Sequence, residues 1–292
     1  VRTDLKLLLT DNSPPLGAAL VREFAREAFE LQVPDAHQVD WCSPPAVDDY
    51  VDKVRPSLVV NTIGWSCGAG SALVDGQVEA AENLARACGR LGIPMIQLSS
   101  YQVFGEANKS KHSERDEPAP SSDAGAALYA AEQAVIELLE HSIVLRTGWV
   151  IASDGDNLLT HWLAALAAGE PWRPSQRLRG APTVATDVAR VVVALIKQID
   201  CGADCWGVYH YGSGDTCTQV EFAEQVLQVL EKLEYSGAMP VIAAHDTVPQ
   251  GQPLSAVLGS QRVRSDFGVQ ARTWRTSLVA LVKQWLHWHQ LD

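Results

Sequence analysis

The sequence predicts an α/β protein built on a doubly wound parallel sheet, and three observations carry that reading. Short apolar runs recur along the chain, beginning with Leu5 to Leu9. Each is followed by a longer stretch whose apolar residues fall at helical spacing. The pair repeats at roughly 30-residue intervals, the length of a strand, a crossover helix and a return. Right-handed crossovers of this kind put helices on both faces of one sheet, which is the Rossmann class of fold.

Leu5 to Leu9 reads as a buried first strand and Leu16 to Ala28 as its helix, joined by the turn Thr10-Asp11-Asn12-Ser13-Pro14-Pro15-Leu16-Gly17. A second strand is expected near Phe29 to Val33, then a helix at Ala46 to Val54 and a strand at Pro56 to Asn61 that ends in a polar residue. A long helix follows from about Ala72 to Leu91, and Pro94 to Leu98 is the next strand. Lys109 to Asp123, rich in charge, Pro and Ser, reads as a surface loop, because the pattern resumes with a helix from about Ala124 to Leu139 and a strand at Ser142 to Arg146. Beyond a helix near Asn157 to Ala168, Gly180 and Pro182 break the pattern before an apolar helix at Asp187 to Ile199. Gly207 to Tyr211 reads as a strand, and Val220 to Leu233 and Thr273 to Trp288 as the last helices.

Composition narrows the function classes. With 292 residues and 47% hydrophobic content the chain can bury a large core. Its formal charge of -12 and its lack of a basic stripe argue against nucleic acid or an anionic membrane as partner. The longest apolar run, Val191 to Ile196, is too short to span a bilayer, and the start of the chain does not read as a signal peptide, so a cytoplasmic protein is expected. Six cysteines at irregular spacing read as reduced thiols. Cys201 with Cys205, and His287 with His289, lack the further ligands a metal needs, so no metal is expected. The tail aromatics read as packing anchors.

In open parallel sheets, ligands bind at the carboxyl ends of the strands. Those ends are the Asp11 turn, Asn61 to Ser66, Ser99 to Gly105 and Thr147 to Val150. Hydroxyl, amide and indole groups converge there. Tyr129 is expected to open an Ala-rich helix beside them.

Taken in order, these residues resemble a known family. The set comprises Val59-Val60-Asn61, Leu98 to Phe104, Glu114 to Pro118, Tyr129, Arg146 to Val150, Gly180 to Thr183, Asp187-Val188-Ala189, Trp206 to His210 and Glu221-Phe222-Ala223. It resembles the extended short-chain dehydrogenase/reductases, and within them the branch of dTDP-4-dehydrorhamnose reductases and their sugar-nucleotide-binding relatives. Leu258, Phe267-Gly268-Val269 and Trp274-Arg275 extend the likeness into the tail. The resemblance implies a Rossmann unit over 1–150 plus about 184–212 that binds NADP or NAD. It also implies a smaller α/β unit over about 151–183 and 213–292 that closes on a nucleotide or nucleotide-sugar. It assigns proton donation to Tyr129 and a hydrogen bond to the substrate carbonyl to Ser100. Asp11, Gly17, Asn61, Ser99 and Gln133 fall at cofactor positions, and Val103, Phe104, Trp149 and Thr183 at substrate positions.

The chain departs from the family pattern in several places. The G-x-x-G-x-x-G fingerprint falls on Asp11, Pro14 and Gly17, so one glycine of three remains. Pro14 offers no N–H to a pyrophosphate and Asp11 brings a carboxylate toward it, each costing on the order of 1–3 kcal/mol. The lysine expected four residues after the tyrosine is Gln133, and a neutral amide cannot supply the roughly 4 kcal/mol needed to bring a tyrosine pKa from about 10 to about 7. Tyr101 stands where the branch has an acidic residue, and Glu79 where it has an asparagine. Asp35, after the second strand, leans toward NAD or is a solvated loop residue.

Two readings follow. One is a nucleotide- or nucleotide-sugar-binding or regulatory protein with lost or weakened hydride transfer, acting alone, as a homodimer or with a protein partner. The other is an active NAD(P)H-dependent reductase of a 4-keto nucleotide-sugar. A third, a structural protein that uses the fold for oligomer contacts, has less in its favour.

Overall fold

The computed structural model describes residues 5–35, 37–65, 76–105 and 109–291. The expected helix start at Ala72, Ser66 at the third strand end and Cys67 lie outside these residues. The chain begins with β1 (Leu5–Leu9), α1 (Leu16–Phe24), β2 (Phe29–Gln32), α2 (Pro44–Val54) and β3 (Leu58–Asn61). It continues through α3 (Gln77–Leu91), β4 (Met95–Ser100), a 3₁₀ turn (Tyr101–Val103), α4 (Asp123–Leu138) and β5 (Ser142–Thr147). After α6 (Ala185–Asp200) comes β9 (Gly207–Tyr211), and the six strands form one parallel sheet in the order β2-β1-β3-β4-β5-β9. The chain passes to one side of β1 to form β2 and to the other to form β3, so the sheet is doubly wound about β1.

Alternation along each strand decides what lies on each face. Leu7, Leu9, Leu58, Val60, Ile96 and Leu98 face α1 and α6, where they meet Leu16, Leu20, Phe24, Val188, Val192 and Ile196. Leu8, Val59 and Met95 point the other way, onto Val47 and Val51 of α2, Leu84 and Cys88 of α3, and Ala131 and Val135 of α4. α1 stops at Phe24 rather than the expected Ala28, because a turn over 25–28 must swing the chain back for β2 to pair with β1.

A second core lies outside this sheet. α5 (Leu158–Ala167), α7 (Gln219–Lys232) and α9 (Arg275–Trp288) enclose Trp162, Trp172, Phe222, Trp274 and Trp285. Trp162 and Trp172 stack with centroids 5.7 Å apart, and the Trp172 indole donates to the Trp162 carbonyl at 2.6 Å. Trp285 is thus a packing anchor, whereas Trp288 is half exposed. Short strands link the two cores: β6 (Val150–Ile151) pairs with β8 (Thr183–Val184), while β7 (Arg179–Gly180) lies between β10 (Cys217–Thr218) and β11 (Ser255–Ala256). α8 (Gln261–Phe267) has no counterpart in the sequence reading. Its Val263 and Phe267 pack into the core of the large sheet, although 213–292 reads as the smaller unit. No described helix is long and apolar enough to cross a membrane. The five described cysteines are unpaired, and among the described residues no three His, Cys, Asp or Glu side chains gather to hold a metal.

Candidate functional site

A cleft of about 280 Å³ opens where the carboxyl ends of β4 and β5 meet the second core. The sheet supplies Ser100, Tyr101 and Gln102 from one strand end and Gly148, Trp149 and Val150 from the next. Across from them stand Asn157, Leu158 and His161 of the α5 start, then Arg173, Ser175, Gln219 and His245. No carboxylate lines it among the described residues, although the chain carries 35 acidic side chains.

Each wall is held by local structure. Ser100 is extended at the end of β4, and its Oγ accepts the Gln102 N–H at 3.2 Å, capping the 3₁₀ turn. Its hydroxyl proton is left to give to a ligand oxygen. Trp149 lies against Leu178 and Ala256, and a Cβ on Gly180 would sit 2.3 Å from its ring, so only glycine leaves room for the indole. Trp149 both packs and lines the cleft. Asn157 caps α5, accepting from Leu159 N and Thr160 N at 3.1 and 3.3 Å. Ser175 N donates to Gln219 Oε1 at 3.0 Å, which ties the loop before β7 to the first residue of α7. His245 Nε2 meets the Arg173 carbonyl at 3.0 Å and its Nδ1 meets the Thr247 hydroxyl at 2.7 Å, a pair of contacts that suits a ring with its proton on Nε2. Arg173 is exposed at the cleft and makes no salt bridge among the described residues.

Several expected site residues do not line this cleft. Tyr129 does not open its helix. α4 starts six residues earlier at Asp123, where the Ser122 hydroxyl accepts Gly125 N, and the bare Cα of Gly125 lets the Gln102 carbonyl approach. Tyr129 is half-buried in the second turn, packed with Tyr101 against Val103, Phe104, Leu128 and Leu258, and it is not among the cleft residues. Val103 and Phe104, expected at the substrate, are themselves buried in that cluster, with Phe104 stacked on His112 at 4.1 Å. Thr183 is 2% exposed, and its hydroxyl donates to Ala181 O at 2.8 Å and accepts Ser213 N at 3.0 Å.

Of the cofactor positions, Asn61, Asp11 and Gly17 are engaged within the fold, whereas the buried Ser99 Oγ has no partner among the described residues. Asn61 is fully buried; its Oδ1 accepts from Thr10 Oγ1 at 2.8 Å and from Ile63 N at 3.1 Å, and its Nδ2 donates to Gln97 at 2.7 Å. Ser99 is fully buried, and its carbonyl accepts both the Trp65 indole N–H at 3.2 Å and the Thr147 hydroxyl at 3.1 Å. Asp11 holds Ser13 through its N–H and hydroxyl at 3.1 and 2.8 Å. Gly17 donates to the Ser13 carbonyl at 3.0 Å, and a Cβ there would lie 2.6 Å from the Asp11 carbonyl oxygen, so this glycine serves the packing of the turn on α1. Gln133 lies half-buried on α4.

This geometry bears on NAD(P), which the fold class and the resemblance imply. At the β1–α1 turn, Ser13 and Gly17 spend their N–H groups inside the turn, and Pro14 and Pro15 have none. An Asp11 carboxylate and two prolines do not fit a pyrophosphate. A separate hollow of about 380 Å³ lies beside Trp41, Cys42 and Ile63.

The sequence reading did not single out Arg173, Asn157, His161, Gln219 or His245. They sit on loops and helix starts, where hydrophobic periodicity carries no information. Nor did it find the buried ion pair in which Glu132 accepts from Arg146 at 2.6 and 2.9 Å.

Comparison with known proteins places these features in a lineage. A dTDP-4-dehydrorhamnose reductase from Burkholderia thailandensis is 27% identical over 300 residues, covering 97% of this chain and 99% of its own. The crystal structure of a dTDP-4-dehydrorhamnose reductase from Clostridium acetobutylicum superposes with a TM-score of 0.82 at 22% identity, over 96% of this chain and 99% of its own. That of the Bacillus anthracis enzyme in complex with NADP gives 0.81 at 21% identity, over 96% and 98%. A model of the RmlD substrate binding domain matches residues 5–287. The chain therefore belongs to the RmlD substrate binding domain family.

Proposed function

We propose that this chain binds a nucleotide-sugar of the dTDP-4-keto class in the cleft between the sheet and the second core. The observation that carries the reading is the lining itself: in a chain of net charge -12, it holds Arg173, which makes no salt bridge among the described residues, and no carboxylate lines it, although Asp156 pairs with His161 at its edge. Such a lining suits a diphosphate, which the Arg173 guanidinium would grip with two parallel hydrogen bonds. Trp149 would lie against the sugar, Ser100 would donate to its keto oxygen, and the amides of Gln219 and Gln252 would meet hydroxyls or base edges. The smaller unit supplies most of these groups and the Rossmann unit supplies Ser100 and Trp149. Unpaired cysteines accord with a cytoplasmic setting. Isothermal titration with dTDP tests the reading. Arg173→Ala should weaken binding about tenfold or more, the worth of about 1.4 kcal/mol, and an unchanged dissociation constant would dismiss the cleft as the site.

In this reading hydride transfer is weakened, which the crowded dinucleotide side supports. A second reading, an active NAD(P)H-dependent reductase, is favoured by the relatives, which bear reductase names over nearly the full chain length. It predicts NADPH consumption with a 4-keto nucleotide-sugar, lost in Ser100→Ala and in Tyr129→Phe. No turnover by the wild-type protein would remove it.

A further inference from the structure

In a doubly wound sheet, a dinucleotide seated at the β1–α1 turn must run across the ends of β3 and β4 to reach a substrate carbonyl at Ser100. That path spans two strand spacings, or about 10 Å. Along this path the described residues bond to one another at several points, although the buried Ser99 Oγ has no partner among them. At β1 and β3, Thr10 Oγ1 donates to Asn61 Oδ1 at 2.8 Å, Thr62 N donates back to Thr10 Oγ1 at 3.0 Å, and Thr62 Oγ1 donates to the Asp11 carbonyl at 2.8 Å. These bonds stitch the two strand ends together at the point where the winding reverses. Over the turn, the backbone after β6 presses down: a Cβ on Gly155 would lie 2.6 Å from the Pro14 carbonyl carbon, and Arg22 pairs with Asp154 at 3.1 Å.

At β4 and β5 the occupant is Trp65. Its indole is 9% exposed and its Nε1 bridges two strands, donating to Ser99 O at 3.2 Å and to Thr147 Oγ1 at 3.1 Å. The Thr147 hydroxyl donates in turn to Ser99 O at 3.1 Å, closing a small ring of bonds under the indole. The same side chain lines the ligand cleft. A ligand that displaced Trp65 would strip this ring of its indole donor in a buried place, where unmade bonds are costly.

We propose that Trp65, with the bonded strand ends at Thr10, Asn61 and Thr62, is a built-in occupant of the dinucleotide path and forms a permanent wall of the nucleotide-sugar cleft. The chain then takes its nucleotide-sugar without NAD(P), a consequence that rests on the function proposed above. The role of Trp65 is to shape the cleft and exclude a second ligand.

The test is calorimetric titration of the full chain with NADPH, NADH and dTDP. The expected result is saturable binding of dTDP and none of either dinucleotide up to about 1 mM; a dinucleotide dissociation constant in the low micromolar range overturns the proposal, since Trp65 would then have to move aside. A variant combining Asp11→Gly, Pro14→Gly and Trp65→Ala should gain NADPH affinity by about tenfold or more. A folded variant, judged by circular dichroism, whose affinity does not change overturns the assignment of these groups. Should the variant fail to fold, the wild-type titration decides. Absence of dTDP binding, with no dinucleotide binding either, sinks the nucleotide-sugar reading and leaves the exclusion of dinucleotide standing.

Discussion

Glu132 and Arg146 form the most deeply placed ion pair described, with side chains 0% and 3% exposed. Arg146 Nε reaches both carboxylate oxygens, at 2.9 and 3.2 Å, and Nη2 reaches one at 2.6 Å. Paired in this way, the two charges are compensated; singly, either would be stranded in the core. Glu132→Ala should therefore destabilise the protein by about 3–5 kcal/mol, read from urea unfolding followed by circular dichroism, whereas replacing both partners with apolar residues should cost far less. A loss below about 1 kcal/mol for the single change would mean that water reaches the arginine. The pair was hidden in the sequence for a physical reason. Glu132 sits in an Ala-rich helical run where a glutamate ordinarily faces solvent, and its partner is 14 residues away on a strand. Gly180 is the opposite case. It was legible as a pattern break, but its purpose, room for the Trp149 ring, needed three dimensions. Gly180→Val should displace Trp149 and abolish dTDP binding measured by calorimetry while leaving the six-stranded sheet in place.

Helix starts matter at the element scale because two of them form the cleft wall. α5 and α7 each begin with a reciprocal cap: Asn157 with Thr160, and Thr218 with Glu221. In each, the cap side chain accepts an N–H of the first turn and the third residue reaches back to the cap N–H. Thr218→Ala should cost about 1 kcal/mol in thermal or urea unfolding and, by loosening Gln219, weaken dTDP binding; a change in stability alone would separate Gln219 from the ligand. The elements themselves were legible wherever periodicity could speak. All six strands of the large sheet were readable, the inner ones because strands buried on both faces of a parallel sheet appear as apolar runs. The pairs β6–β8 and β10–β7–β11 were not, because strands of two residues have no period. α8, seven residues long, escaped for the same reason. The helix that carries Tyr129 starts at Asp123, one residue before the expected Ala124, which leaves the tyrosine in its second turn rather than at its start.

The whole molecule joins its parts at a seam where β5, β9 and the loop over 109–116 meet, and the seam is sensitive to acid. His210 on β9 is fully buried beside Arg146. Burial first, and then the neighbouring guanidinium, push its pKa from 6.5 down to about 3. His112, stacked on Phe104 across the seam, is also shifted down, mainly by burial, with Asp116 opposing and Lys109 and Arg146 assisting. A group whose folded pKa is depressed in this sense binds its proton only on unfolding. The unfolded chain takes up protons below 6.5, so stability is fully present above that value and drains away as pH falls toward about 3. Asp116 does not confuse this window. Its folded pKa, near 2 against 3.8 unfolded, withdraws stability only in stronger acid. Between about pH 7.5 and 5.5, His210 alone should lower the unfolding free energy by about 1.4 kcal/mol, and His112 should add to the loss. Urea midpoints measured at the two pH values check this. The His210→Asn variant should start less stable but show a flatter pH dependence by about that amount. An equal slope in variant and wild type would mean that His210 takes up its proton at the same pH in the folded and unfolded chain, so that burial and Arg146 do not depress its pKa.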